Sequence, residues 1–150
     1  MNISKHITYA EAIKSQQAVR MRLSNEPTPE HLDNMKYLAE NVFEPLRAHF
    51  GKPIAVTSFY RSEVVNRAIG GSSLTSQHLQ GEAMDIDAQV FGGLTNAEVF
   101  NWIRQNLNFD QLLWEYGSVS EPDWVHVSLT RRRANRKQVL RVIGGKYFNM

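Results

Sequence analysis

The 150-residue sequence contains no cysteine. Disulfides and thiolate metal ligation are therefore excluded, and any metal site must use His, Asp, Glu or backbone oxygen. The absence suits an oxidising or a reducing compartment equally. No apolar run could span a bilayer, and the opening Met1-Asn2-Ile3-Ser4-Lys5-His6 has no signal-peptide core. The expectation is a chain made in the cytoplasm without a signal peptide. Internal repeats, low-complexity stretches, linkers and a His-Glu-x-x-His helix are also missing. One domain over residues 1–150 follows.

The composition is 42% hydrophobic and 21% charged, as in ordinary globular proteins, and the length allows a real core without staples. The net charge of +2 hides a cluster near the carboxyl end: Arg131, Arg132, Arg133, Arg136, Lys137 and Arg141. Such a segment can bind nucleic acid or other anionic polymers. No aromatics interleave the arginines as single-strand binders require, so it reads as a solvated strand-connecting loop without a nucleic-acid partner.

Thr8-Tyr9-Ala10-Glu11 fits a capping box opening a helix to about Leu23. Thr28 as N-cap with Pro29 opens a second, with Leu32, Met35, Leu38, Ala39, Val42 and Phe43 on its apolar face. Pro45 kinks this helix or starts its last turn, and Gly51 closes it. Ile54–Ser58 reads as a strand, Arg61–Ala68 as a helix stopped by Gly70-Gly71, and residues 70–77 as a loop. Thr95-Asn96-Ala97-Glu98 is another capping box. Residues 83–87, 110–116, 124–129 and 138–143 read as short strands. The fold class is α+β, a mostly antiparallel sheet with helices packed on one side.

Two imidazoles and a carboxylate, His78, Asp85 and His126, could hold one zinc ion and leave a position open, as catalytic rather than structural sites do. His78 and Asp85 stand seven residues apart. That spacing fits a loop ligand followed by a strand ligand, with Gly81 allowing a tight turn between them. On alternating strands, Met84 and Ile86 face one way and Asp85 and Asp87 the other. Val125 and Val127 likewise oppose His126, which shares the polar surface of Asp85. Asp123 precedes His126 by three residues, an odd offset that puts the two on opposite faces of a regular strand. It is therefore expected just before the strand, where Pro122 bends the chain and its carboxylate could take a proton from water at the metal. The plainer readings are solvent-facing Asp85 and Asp87, a turn residue at Asp123, and a solvent-facing Glu82. His6, His31 and His49 fall on helix ends or exposed faces.

Ser76-x-His78-x-x-Gly81-x-Ala83-x-Asp85, followed by Asp123-Trp124-x-His126, resembles the zinc peptidases of the D-alanyl-D-alanine carboxypeptidase and L-alanyl-D-glutamate endopeptidase family. That family includes bacteriophage endolysins and the dipeptidases of vancomycin resistance, and shares its fold with the Hedgehog signalling domain. Ser58-Phe59-Tyr60-Arg61, Asn66, Gly70-Gly71 and the run from Phe109 to Tyr116 extend the match, which covers about residues 30 to 143. The resemblance implies that His78, Asp85 and His126 ligate one Zn²⁺ and that Asp123 is the general base. It implies that Arg61 polarises the scissile carbonyl and steadies the oxyanion; a salt bridge at a helix start is the plainer reading. Ser76 and Gln77 would contact substrate or orient a ligand imidazole. Glu115 would orient a ligand too, or pair with an arginine. The expectation, unlike for some relatives, is a chain without an appended wall-binding domain, and a short 86–109 segment leaves little material for a lid.

The implied activity is a metallopeptidase acting on peptidoglycan peptide stems, as a D,D-carboxypeptidase or an endolysin-like L-Ala-D-Glu endopeptidase; small size and the missing export signal lead to the expectation of a monomer that acts on the cell wall after release in phage or prophage lysis. The alternative is a zinc-stabilised binding module of the same fold without turnover.

Overall fold

The computed structural model describes residues 1–70 and 73–150. A short antiparallel pair opens it, β1 (Asn2–Ser4) and β2 (Ile7–Thr8), held by buried Ile3 and Ile7. These strands are too short to show a sequence period. Thr8 caps α1 (Tyr9–Ala12), its hydroxyl accepting from the Glu11 amide. The helix expected to reach Leu23 is interrupted. The Ser15 hydroxyl accepts from the Ala18 amide and starts a separate helix, α2 (Gln16–Met21). A serine that bonds nearby backbone competes with helix continuation and favours a cap.

Thr28 caps α3 (Pro29–Leu38) as the sequence indicates. Pro45 has no N–H, and its ring would strike the carbonyl one turn earlier. The chain widens into one π-helical turn, Ala39–Phe43, and resumes as α4 (Glu44–Phe50) with Pro45 in its first turn. Next come β3 (Ala55–Ser58) and α5 (Glu63–Ile69), capped by Ser62 and ended at Gly70. Gly71, the other half of the expected stop signal, lies outside the described residues. A 3₁₀ turn, Gln77–Gln80, leads into β4 (Ala83–Asp87). Both halves of the Thr95–Glu98 capping box form at the start of α6 (Asn96–Asn106).

The remaining strands are β5 (Gln111–Glu115), β6 (Trp124–Ser128), β7 (Gln138–Ile143) and β8 (Lys146–Asn149), which folds back at Gly144-Gly145 and was not anticipated. The sheet order is β3-β4-β6-β5-β7-β8, antiparallel throughout except for the β5–β7 pair. The fold is α+β, with a mostly antiparallel sheet. Among the described residues no helix is long and apolar enough to cross a membrane.

The pleat divides the sheet into two chemically different faces. Met84, Ile86, Leu112, Trp114, Val125 and Val127 are buried in one cluster with Leu38, Phe43, Phe100 and Ile103 from the helices. Phe100 meets Trp114 edge to face at 5.1 Å. Each large apolar side chain buried there contributes about 1.5–3 kcal/mol, enough to fix the register of every strand that supplies one. The opposite face therefore receives Asp85, His126, Leu113 and Glu115 without choice, because a one-residue slip would bury them.

Candidate metal centre and its cleft

Asp85 on β4 stands directly across from His126 on β6. His126 Nδ1 lies 2.9 Å from Asp85 Oδ1, and His78 Nε2 approaches the same oxygen to 3.5 Å. The two imidazole rings are 5.2 Å apart. One ligand atom from each residue lies within 4.8 Å of the others, so the three could hold a metal ion.

His78 is fixed from both sides by the segment after β3. Its Nδ1 lies 2.6 Å from the Phe59 carbonyl, and its own carbonyl accepts from the Arg61 amide at 3.1 Å. A carbonyl can only accept, so Nδ1 donates to it and Nε2 is the nitrogen that faces Asp85. Ser76 caps the 3₁₀ turn by accepting from the His78 amide at 3.3 Å. Gly81 ends that turn at φ +71°, where a Cβ would collide with the His31 carbonyl and with Met35. The tight turn expected between His78 and Asp85 is thus required twice, by backbone conformation and by packing against α3.

Burial by itself would raise the Asp85 carboxyl, but His78 and His126 together hold it well below the usual carboxylate range. The group is therefore an anion at neutral pH. Ligand atoms around a tetrahedral zinc stand about 3.3 Å apart. The observed 2.9 and 3.5 Å contacts bracket that separation, and two imidazoles beside an ionised carboxylate are a suitable donor set. The residues fit a small divalent metal.

The triad lies in an open cleft of about 960 Å³, lined also by Arg61, Ser76, Gln77, Glu115, Trp124 and Tyr147. Arg61 is held by Asn66, whose Oδ1 accepts from Nη1 at 3.1 Å; burial lowers the guanidinium pKa while Asp85 opposes that effect. Among the described residues, Gln77 Nε2 and Trp124 Nε1 are buried donors without a partner. Both residues belong to the cleft wall.

Asp123 stands just before β6 and is exposed, and its amide donates to the Glu115 carbonyl at 2.9 Å. Glu115 lines the cleft. Leu113, Leu140 and Val142 form a small apolar cluster on the same face, and Val142 pairs with Glu115 in register. Burial pushes the Glu115 carboxyl up to about 7, opposed by His126 and reinforced by the Asp85 charge.

Glu82 is not solvent-facing as expected but buried, 1% exposed, accepting from Thr130 Oγ1 and twice over from Arg132. Asp110 is fully buried and takes paired bonds from Arg133 and Arg136. Arg131 lies over the Tyr37 ring and donates to Asn34. The basic segment is accordingly a braced loop whose Arg132, Arg133 and Arg136 border the cleft. Alternation could not reveal this, because both carboxylates sit at strand entrances where the pleat pattern does not apply.

Two imidazoles and a carboxylate thus meet on the open side of an α+β sheet as a group that could hold a metal ion. A family model described as Peptidase M15 matches residues 5–128, and the chain belongs to that family, whose members are peptidases. No curated protein matches the chain.

Proposed function

We propose that the protein is a zinc-dependent peptidase that hydrolyses the peptide stems of bacterial peptidoglycan, as a D,D-carboxypeptidase or an L-Ala-D-Glu endopeptidase. The observation that carries this reading is the convergence of His78, Asp85 and His126 within 4.8 Å on the floor of the cleft. Membership of a peptidase family supports it. Zinc bound there would supply Lewis acidity toward a peptide carbonyl and toward water.

The chain's own residues have separable tasks. His78, held by the Phe59 carbonyl, presents a fixed lone pair, and Asp85 and His126 complete the donor set. Arg61, positioned by Asn66, donates to the carbonyl oxygen as negative charge develops on it. Gln77 and Trp124 offer unmatched N–H groups to stem carbonyls or carboxylates. The arginines at the cleft border favour an anionic substrate. Delivery to the wall by phage or prophage lysis is part of the same proposal, and a gene lying away from lysis genes would count against it.

The test is mass spectrometry of purified peptidoglycan incubated with the protein, with zinc and with a chelator. Zinc-dependent stem fragments are the expected result, and their new ends name the bond. Intact stems beside a protein that holds one zinc would replace the peptidase with a non-catalytic binding module.

A further inference from the structure

The metal cleft does not end at Arg61. A second cavity of about 620 Å³ adjoins it, and Arg61 and Ile69 line both. One wall is Ala55, Val56, Thr57 and Ser58, the whole of β3. Side chains on a strand alternate between faces, so a run of consecutive residues borders one space only along the strand's edge. β3 is the terminal strand of the sheet and pairs with β4 alone, so that edge is open. The facing wall is the α1–α2 junction, with Lys14, Ser15, Gln16, Gln17 and Arg20. The Tyr60 amide donates to the Ala12 carbonyl at 3.0 Å, which occupies the edge beyond Ser58 and holds that junction beside β3.

Charge favours one kind of occupant. Lys14 and Arg20 are exposed, Arg61 stands at the boundary with the metal cleft, and among the described residues no carboxylate lines the cavity. Arg20 donates at 2.6 Å to Gln17 Oε1, a neutral acceptor, so its charge is not cancelled there. Position favours the substrate of the metal cleft. Ser58 stands opposite Asp85 of the triad in the β3–β4 register. Strands in a sheet lie about 4.8 Å apart, so a chain added outside β3 runs about 10 Å from β4, a distance spanned by about three extended residues.

We propose that this groove is a second substrate subsite, in which an extended peptide pairs its amides with the free edge of β3 and sets an internal carboxylate against Lys14 and Arg20. Backbone pairing gives affinity whatever the side chains, and the cations select an acidic residue. A peptidoglycan stem meets both needs, since its γ-linked glutamate and its diaminopimelate each keep a carboxylate outside the main chain. The proposal rests on the peptidase reading above and narrows it to stems with free internal carboxylates.

The test uses the full zinc-loaded chain with a diaminopimelate stem pentapeptide, and with the same peptide amidated at its internal carboxylates. Cleavage gives kcat and KM. Backbone amide chemical shifts, recorded in chelator to prevent turnover, report binding separately. Lys14→Glu and Arg20→Glu should each raise KM for the free-carboxylate peptide by roughly 5–10-fold without lowering kcat, and amidating the peptide should do the same in the wild type. Arg104→Glu on α6, which lines neither cavity, makes the same change in net charge and should keep KM within about twofold of wild type. The amides of Ala55–Ser58 should shift as peptide is added. Equal wild-type KM for the two peptides, unaltered KM in both variants, or unmoved Ala55–Ser58 amides would each overturn the subsite, and a wild type that still cleaves would leave the peptidase reading standing. A zinc-loaded wild type that cleaves nothing, with those amides shifting, would overturn the peptidase reading while supporting the groove as a peptide site.

Discussion

At the scale of single residues, what distinguishes the site is how completely His78 is constrained. Its ring proton goes to the Phe59 carbonyl and its backbone is clasped by Arg61, so the ligating nitrogen is aimed before any metal arrives. His78→Ala and His126→Ala should therefore each weaken zinc binding by at least about 100-fold, measured by competition with a chromophoric chelator, while Arg61→Ala keeps zinc and lowers kcat. Glu115 gives a second residue-scale prediction, read in the zinc-free protein. Its carboxyl titrates near 4.5 when unfolded and about 7 when folded. Between those values the native state holds a proton that the unfolded chain has released, so stability falls as pH rises through that window. Glu115→Gln removes the penalty. Its melting temperature should exceed the wild type's at pH 8 and match it near pH 4; a difference independent of pH would mean that the carboxyl is not desolvated as described.

At the scale of elements, the site is positioned by turns as much as by strands. Gly117 adopts φ +69° with Glu121 and the Asp123 amide packed against it, and Gly81 is similarly enclosed by α3. Gly81→Ala should separate His78 from Asp85 and weaken zinc binding, whereas Gly117→Ala should shift the entrance of β6 and spare the His78 side of the site. The loop between β6 and β7 depends on Asp110. Arg133 and Arg136 are 44% and 48% exposed, so screening brings the expected cost of Asp110→Ala to about 2 kcal/mol, testable by urea denaturation. The caps at Thr28 and Thr95 were legible because a side-chain oxygen placed before an apolar period has one local use. The strand faces of Asp85 and His126 were legible because their valine, methionine and isoleucine neighbours must be buried. The break at Ser15 was not, since a serine can cap or be carried along within a helix. Nor was the burial of Glu82 and Asp110, because both precede the strands on which alternation is read.

At the scale of the whole molecule, the sheet separates stability from chemistry. The helix-covered face carries the apolar cluster, and the open face carries the triad, whose ligands come from the 3₁₀ turn, β4 and β6. A metal there joins segments that the opposite face has already put in place, so it should add stability without being needed for folding. At zinc concentrations 100 times the dissociation constant, binding contributes about 2.7 kcal/mol, or roughly 5–10 °C in melting temperature for a chain of this length. Chelation should therefore lower the melting temperature by about that amount while far-ultraviolet circular dichroism at 25 °C remains that of the folded protein. His126→Ala should melt at the same temperature with or without zinc. Wholesale loss of helix signal on chelation would make the ion a structural one and would remove the division of labour between the two faces. A melting temperature indifferent to zinc in the wild type would remove the metal centre itself.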